Sequence, residues 1–485
     1  MRTLRSLIIL AGALAAALSL AAAGPAGRTN GISVSPVVDV SNDQTSQNET
    51  PLAINPHNPQ NLITGNNDWN YNDGCGVNAT FDAGKTWTPT VPNGFLPGIT
   101  KFTNDPNVPG TGAYDAGGDP APAFGPDGTA YYVCQAFNFT PPYQIALLLN
   151  RSTDGGLTWQ THGLTQISTW TGNGKSKGSN GQFPDHESIH VDLSSSSPYY
   201  GAVYVTWAQF NGKGTHSPVY VAVSRDGGRT FSTPTAVSAG SIRNNQDQRI
   251  VTAPSGDAYL TFDNGVQGGK GTVLYASKST DGGTTWSAPV QFAALTNPVC
   301  IFPPYCFNIS GGQFRAPGSY PAPAFDPTTH RLYVAYTDIV ANKAQVFLTY
   351  ADVNDITTWS TPAVVAPASG DRINVELSVE PSSGRLDLMT NDRSYSGNTL
   401  FDVSYITSAD GGQTWTTTRV TKASWDPSAF GVPCASCASG FRPFIGDYDG
   451  IVSLPGSAAM TWTGPGKTFG TYPTNLEVYF GSVAP

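Results

Sequence analysis

The sequence predicts an all-β protein built as a single β-propeller of four-stranded antiparallel blades, and three observations support this. Glycine and proline contribute 53 and 38 of the 485 residues, so turns are frequent and long helices are disfavoured. Short segments rich in β-branched and aromatic residues, such as residues 219–223, recur along the whole chain. A turn motif also repeats at intervals of roughly 55 to 75 residues, which is typical of stacked supersecondary units.

The repeated turn has the form Ser/Thr-x-Asp-x-Gly-x-Thr-aromatic, and each copy stands between two strand-like segments. We interpret its aspartate as an acceptor for backbone N–H groups of a hairpin turn, and its glycine as a residue in a strained backbone conformation. A sixth, decayed copy at residues 352–359 has Asn354 at the aspartate position. The five aspartates, which we expect to be structural, are Asp82, Asp154, Asp226, Asp281 and Asp410.

Two further strand-like segments precede each turn, so that each unit has the four short strands of a propeller blade. The last unit, residues 442–485, lacks the turn motif and a fourth strand, whereas residues 32–38 resemble the fourth strands of other units. We therefore expect seven blades, closed by this N-terminal strand, with six blades as the alternative. The inner strands are predicted to start near Pro51, Pro120, Glu187, Arg249, Pro321, Asn374 and Ile445.

Residues 1–23 are typical of a secretory signal peptide, and residues 24–485 are assigned to the propeller. Arg2 and Arg5 precede a short apolar run, and three alanines at 21–23 provide small residues for cleavage. No later segment reaches the roughly 18 apolar residues of a membrane span. We expect a secreted, extracellular protein without a membrane span, and the net charge of −9 argues against a nucleic-acid partner.

The six cysteines fit an oxidising compartment and predict disulfide bridges. The simplest pairing has two local bridges, Cys300–Cys306 and Cys434–Cys437, and one longer bridge, Cys75–Cys134. No metal site or cofactor is predicted, because the Cys-x-x-Cys at Cys434 has no second such motif and no histidine pair beside it. Residues 68–74 resemble a calcium loop with a displaced glycine, so a structural calcium ion there stays an alternative.

The repeated turn is similar to the Asp-box, or BNR repeat, of the sialidase-like propeller superfamily, and this resemblance covers nearly all of residues 24–485. That superfamily includes sialidases, other glycoside hydrolases, sorting receptors and assembly factors, so the resemblance does not fix an activity. It implies that the turns lie on the face opposite the ligand. The ligand face would then carry the loops into the inner strands and the loops between second and third strands.

On that face the resemblance implies a polar mouth for a glycan or another polar small molecule. Sialidases are expected to have three arginines that clamp the sugar carboxylate, a Tyr–Glu nucleophile pair and an aspartic acid. The candidate catalytic residues are Asp185, Glu187 and Tyr448. The candidate substrate-binding residues are the possible clamp Arg315, Arg372 and Arg442, together with Asp119, Arg249 and Asp447.

Two features depart from sialidases. The expected Arg-Ile-Pro motif near the start is absent, and sialidases are six-bladed. We expect a monomeric, sialidase-like, carbohydrate-active propeller, an exo-acting glycoside hydrolase on an acidic or neutral glycan. The alternatives are a non-catalytic glycan- or protein-binding propeller and a scaffold for another exported protein. A hydrolase requires two carboxylates facing each other across a bond, whereas a scaffold requires an apolar patch on the rim.

Overall fold

The structure is a computed structural model in which the described residues form β-strands joined by turns, bends and irregular loops. It describes residues 27–29, 31–42, 45–69, 73–89, 95–103, 105, 107–171, 182–211, 216–238, 240–264, 273–296, 320–434, 440–466 and 475–484. Within these ranges the helical segments are two short 3-10 turns, Ser394–Ser396 and Pro427–Ala429. No described helix is long and apolar enough to cross a membrane.

Seven antiparallel sheets form the blades of a β-propeller, which confirms the predicted fold and decides for seven blades rather than six. Blade 1 contains Gln47–Asn48, Leu52–Asn55, Asn58–Trp69, Asp73–Thr80 and Thr88–Pro89. Blade 2 contains Ala116–Phe124, Ala130–Phe137, Gln144–Ser152 and Thr165–Thr171. Blade 3 contains Gln182–Val191, Val203–Asn211, Val219–Ser224 and Thr235–Ala236.

The next three blades follow the same order from the axis outwards. Blade 4 contains Asn245–Thr252, Ala258–Asn264, Val273–Ser279 and Val290–Ala294. Blade 5 contains Ala322–Asp326, Arg331–Val340, Lys343–Asp352, Asp355–Trp359 and Ala363–Val364. Blade 6 contains Arg372–Glu380, Arg385–Asp392, Asp402–Ser408 and Thr416–Arg419. A small separate ribbon, Val432–Pro433 paired with Phe441–Arg442, leads into blade 7.

Blade 7 joins the two ends of the described chain. Its inner three strands are Gly450–Leu454, Ser457–Pro465 and Leu476–Ala484. The N-terminal segments Ile32–Val34 and Val38–Asp39 both pair with Leu476–Ala484, and Gly27–Thr29 pairs with Ile32–Val34. The predicted closure by an N-terminal strand is therefore confirmed, and it joins the first and last blades of the ring.

Hydrophobic packing lies between neighbouring blades rather than within one sheet. One cluster combines Ile63 and Val77 of blade 1 with Tyr132 and Leu148 of blade 2. Trp159, the aromatic residue of the second repeated turn, lies in the same cluster and meets Tyr132 edge-to-face, with ring centroids 5.9 Å apart. The aromatic side chain of this turn thus helps to hold two blades together.

The repeated turns are held by one recurrent set of hydrogen bonds. In the third turn, Asp226 accepts from the backbone N of Thr230 at 2.9 Å and from its hydroxyl at 2.7 Å. Ser224 donates to Asp226 and accepts from the N of Gly228, whose φ of 73° is left-handed. The same aspartate-to-threonine bonds occur at Asp82, Asp154, Asp281 and Asp410.

A disulfide joins Cys75 of blade 1 to Cys134 of blade 2, which confirms the predicted longer bridge. Cys434 is also disulfide-bonded, and its expected partner, Cys437, lies outside the described residues. Cys300 and Cys306 lie outside them as well. The Cys75–Cys134 bridge links a third strand to the second strand of the next blade, so it covalently ties two neighbouring sheets.

Replacing both Cys75 and Cys134 by serine is expected to lower the free energy of unfolding by about 2–4 kcal/mol. The bridge closes a loop with a sequence separation of 59 and so restricts the unfolded chain. Denaturant titrations of the double variant and the wild-type protein, both without reductant, measure the difference. Equal free energies would show that packing between blades 1 and 2 already supplies the whole constraint.

The repeated turns are also expected to make the protein sensitive to acid. Hydrogen bonds from Thr414 and Ser408 lower the pKa of Asp410 from its ordinary value of 3.8 to about 2. A carboxylate with a depressed folded-state pKa contributes stability that is present above the unfolded pKa and lost as the pH falls towards the folded pKa. Asp410→Asn should therefore lose less stability than the wild type between about pH 4 and pH 2. Parallel stability curves for the two proteins would contradict this role.

Candidate functional site at the propeller axis

The seven inner strands converge on the axis, and a residue with positive φ stands near the start of each one. Four of these strands have a shift in pairing register at the same place, next to Asp119, Asp185, Gln246 and Ile373. Positive φ in non-glycine residues is strained and concentrates at functional sites. The seven residues are Glu49 (59°), Asp119 (57°), His186 (53°), Asp247 (59°), Tyr320 (20°), Asn374 (51°) and Gly446 (91°).

A cavity of about 210 Å³ lies where these strands meet. At about 30 Å³ per water, this is the volume of roughly seven water molecules, or one small organic ring. The residues that form the cavity wall come from several blades and include Pro120 and Ala121 of blade 2. The polar side chains of its lining include His186, Glu187, Asp247, Arg249, Glu376 and Tyr448.

The starts of the inner strands, which carry the polar lining, lie at the opposite end of the blades from the repeated turns. In blade 3, Asp185 near the start of the inner strand pairs with Ala208, which in turn pairs with Val219. The turn residue Ser224 is instead level with Val191, at the other end of the inner strand. This arrangement separates the acidic groups that hold the turns from those around the polar end of the cavity.

His186 is the centre of the polar network and is only 6% exposed. Its Nδ1 lies 2.8 Å from Asp247 of blade 4, and its Nε2 lies 2.9 Å from Asp447 of blade 7. Its ring stacks on Tyr320 with centroids 5.2 Å apart, and its backbone N donates to Asp119 of blade 2 at 2.9 Å. Burial alone would lower the pKa of His186, but Asp247 and Asp447 outweigh it and raise the pKa well above 6.5. The imidazole is therefore a buried cation at neutral pH.

Asp247 contacts a second buried acid, Asp263, from the second strand of blade 4. Asp263 is 0% exposed. Burial, followed by the charge and hydrogen bond of Asp247, raises the pKa of Asp263 well above 3.8. Two neighbouring carboxyl groups in a dry site cannot both ionise easily, so the charged form of Asp263 is disfavoured.

Glu187 follows His186 in the chain and differs from its neighbours because it takes no part in this network. It is 3% exposed, and neither carboxyl oxygen hydrogen-bonds to another described residue. Burial, followed by the nearby charge of Asp119, raises its pKa well above 4.5. Because Glu187 lines the cavity, it presents a carboxyl group with a raised pKa to any molecule bound there.

Tyr448 and Arg249, which were both selected from the sequence, also line the cavity. The hydroxyl of Tyr448 donates to the carbonyl of Pro120 at 3.2 Å, and burial raises its pKa well above 10. Arg249 binds Glu376 with both terminal nitrogens, with Nη2 2.7 Å from Oε1. This bidentate pair occupies the fork that could otherwise bind an anionic ligand.

The other acids selected from the sequence surround the cavity and are engaged by protein groups. Asp119 and Asp447 both bind His186, through its backbone and its ring respectively. Asp185 accepts from the side chain of Gln246 in blade 4. Asp185 and Glu187 are thus close in sequence but differ in role, since one is held by a neighbouring blade and the other faces the cavity.

Arg372, one of the three arginines of the predicted clamp, is bound to other protein groups in this structure. Its Nε donates to Asp392 at 2.8 Å and its Nη1 donates to the carbonyl of Ala366 at 2.6 Å. It does not line the axial cavity. Arg315 and the side chain of Arg442 lie outside the described part of the structure.

Sequence reasoning gave no role to His186, Asp263, Tyr320 or Glu376. A usable signal was the residue type at the left-handed position of each inner strand, where Asp, Asn or Gly recurs. These types tolerate left-handed backbone better than most residues do. Aligning the inner strands on that position would have placed His186 and Tyr320 at the axis.

The described residues contain no group of three or more His, Cys, Asp or Glu side chains arranged to hold a metal ion. The loop predicted as an alternative calcium site includes residues 70–72, which lie outside the described residues. The structure therefore leaves that expectation as a prediction.

Several solved structures share the fold. A polysaccharide lyase of family PL25, an ulvan lyase, aligns with a TM-score of 0.50 and 12% identity over 91% of this chain and 95% of that one. A Hadza microbial sialidase aligns with a TM-score of 0.47 and 14% identity over 76% and 66%. An α-L-arabinofuranosidase from Fusarium graminearum aligns with a TM-score of 0.44 and 13% identity over 80% and 96%. No protein-family model and no curated protein matches the sequence. At these identities the likeness concerns the fold.

Glu187→Gln is expected to be more stable than the wild type at alkaline pH, with the difference vanishing below about pH 4. Because the folded-state pKa of Glu187 is raised, its contribution to stability is complete below the ordinary value of 4.5 and is lost as the pH rises through the folded-state value. Glutamine cannot lose a proton, so the variant escapes this loss. Denaturant titrations across the pH range measure the difference.

The matched control is Glu380→Gln at the far end of the inner strand of blade 6. Burial alone would raise the pKa of Glu380, but hydrogen bonds from Ser383 and Ser382 outweigh it and lower that pKa. The stability of Glu380→Gln should therefore differ from that of the wild type in its response to acid pH, and not in its response to alkaline pH. If Glu187→Gln gave a curve parallel to that of the wild type, Glu187 would not hold a proton at neutral pH.

Proposed function

We propose that this chain is a carbohydrate-active propeller, a glycoside hydrolase that holds one sugar unit in the axial cavity. The observation that carries the proposal is the Glu187 carboxyl group, which lines the cavity and is bound by no other described residue. A glycosidic bond breaks when a carboxylic acid with a raised pKa protonates the leaving oxygen. Glu187 combines a raised pKa with a position on the cavity wall, and this step requires both.

Hydrolysis also needs a carboxylate that assists on the other side of the bond, and Asp119 is our candidate. Its charge helps to raise the pKa of Glu187, so the two groups interact. The backbone N of His186 orients Asp119 at 2.9 Å. In the proposed reaction the Glu187 proton passes to the leaving oxygen as the C–O bond breaks. Asp119 stabilises the positive charge on the anomeric carbon and accepts a proton from the attacking water, whose oxygen forms the new C–O bond. Exchange with solvent then returns Asp119 and Glu187 to their starting protonation states.

The size of the cavity favours action on a terminal sugar. A volume of about 210 Å³ is sufficient for one sugar ring. Tyr320 and Tyr448 both lie beside His186, with ring centroids 5.2 and 5.9 Å from its ring. Aromatic rings at a pocket wall provide apolar surface with a polar tip, which suits the mixed surface of a sugar. We therefore propose exo-acting hydrolysis.

The repeated turns and the fold support a glycan as the ligand class. The hydrogen bonds at Asp226 and its equivalents fit the Asp-box resemblance, and we propose membership of that superfamily on this basis. The ulvan lyase that shares the fold is named for action on a polysaccharide. We further propose that the protein is secreted through residues 1–23, acts as a monomer and uses no metal or cofactor in the reaction.

Turnover of a panel of chromogenic glycosides by the purified protein tests the proposal. Glu187→Gln should lower kcat by about 10²- to 10⁴-fold, the usual contribution of a general acid, whereas Glu380→Gln should retain activity. Ultraviolet absorbance of the products separates hydrolysis from elimination, because only elimination leaves a double bond in the sugar.

An ultraviolet-absorbing product would contradict the hydrolase proposal and favour a lyase. Turnover that survives in Glu187→Gln would remove Glu187 from the reaction. Sugar binding without turnover on any glycoside or polysaccharide would favour the non-catalytic binding propeller.

A further inference from the structure

The described residues around the axial cavity carry an excess of acidic side chains. Two basic side chains line the cavity, Arg249 and His186. The acidic side chains that line it are Glu187, Asp247, Glu376 and Asp449, and those that contact the lining groups or their neighbours are Asp119, Asp185, Asp263 and Asp447. Adding the two arginines of the predicted clamp, Arg315 and Arg442, to the basic side would not reverse this excess.

The two basic side chains that line the cavity in the described structure, Arg249 and His186, already bind protein carboxylates. The two ring nitrogens of His186 lie 2.8 Å from Asp247 and 2.9 Å from Asp447. Both terminal nitrogens of Arg249 bind Glu376. An acidic ligand could pair with either cation only by displacing a buried carboxylate, which would leave that charge without a partner.

Glu187, by contrast, can still accept hydrogen bonds from a ligand. Glu187 is 3% exposed, faces the cavity and has two carboxyl oxygens bound to no other described residue. Burial and the charge of Glu376 raise the pKa of Asp449 to about 7. Further negative charge is disfavoured here, because the pKa values of both acids are raised by burial and by neighbouring carboxylates. Hydroxyl or ammonium groups of a ligand would find acceptors here, whereas a carboxylate would add a like charge.

We infer that the axial cavity accepts a sugar without negative charge, with an amino sugar favoured over its neutral counterpart, and rejects sialic and uronic acids. This inference rests on the proposed function, because it names the substrate class of the same site. It departs from the acid-sugar clamp that the sialidase resemblance implied, since Arg372 is tied to Asp392.

Isothermal titration of the purified protein with charge-matched sugars tests the inference. The probes are glucosamine, glucose and glucuronic acid, the corresponding galacto sugars, and N-acetylneuraminic acid. Within the better-bound series, the uronic acid should bind about tenfold or more weakly than the neutral sugar, because like charges face each other in a poorly screened site. The amino sugar should bind more tightly than the neutral sugar. N-acetylneuraminic acid should bind no better than the uronic acid.

Glu376→Gln provides the decisive variant, because it should free Arg249 at the cavity wall. Its affinity for the uronic acid should rise by about tenfold or more, while its affinity for the amino sugar should fall. Asp115→Asn is the matched control, since it frees Lys101 from an ion pair with a 2.8 Å N–O distance that lies outside the cavity lining. That control should leave the order of affinities unchanged.

The outcomes separate the inference from the function on which it rests. If N-acetylneuraminic acid or a uronic acid bound the wild type more tightly than the neutral sugar did, the charge inference would be overturned and the sugar-binding function would stand. If no sugar bound the folded protein and no glycoside were turned over, the proposed function would be overturned and the inference with it.

Discussion

The architecture depends on one backbone constraint, the left-handed residue near the start of every inner strand. Seven strands that converge on an axis would crowd one another unless each chain bent there, and the bend turns the following side chains into the centre. Six of these seven residues are not glycine, and each strained residue costs of order 1–3 kcal/mol. Packing between blades and the buried polar network must offset that strain. The same bend therefore shapes the fold and builds the cavity.

The contacts of His186 show how the buried polar network offsets the backbone strain. It bridges blades 2, 3, 4, 5 and 7 through Asp119, Asp247, Tyr320 and Asp447. A single buried cation thus neutralises carboxylates that would otherwise repel each other at the axis, where solvent screening is weak. Because this network uses every polar group of the His186 ring, it cannot also use the adjacent Glu187. The acid that we propose for catalysis is left free by the contacts that hold the blades together.

The sequence predicted the parts of the structure that are periodic or local. Blade number, the closing strand and the role of Asp226 in its turn follow from repeated patterns, and the Cys75–Cys134 bridge follows from elimination of nearer pairs. The contacts at the axis are of another kind. His186 and Asp447 are 261 residues apart, and no local pattern relates them. The partner of Arg372, Asp392, lies 20 residues away on the neighbouring strand, and sequence spacing alone does not say which way a long side chain turns.

The two ends of the blades use the same acidic residue types in opposite ways. At the turns, hydrogen-bond donors surround each carboxylate. Hydrogen bonds from Thr414 and Ser408 lower the pKa of Asp410 to about 2, so its negative charge stabilises the turn. At the axis, burial and neighbouring acids raise the pKa of Glu187 and of Asp449, the latter to about 7, so that the charged forms of these acids are disfavoured beside a cavity. The Glu187 carboxyl group, which has neither hydrogen-bond donors nor solvent around it, contributes little to holding the structure together. Its retention at the axis is better explained by chemistry performed on a bound molecule than by stability, because replacing it with a neutral residue would remove an electrostatic burden from the fold.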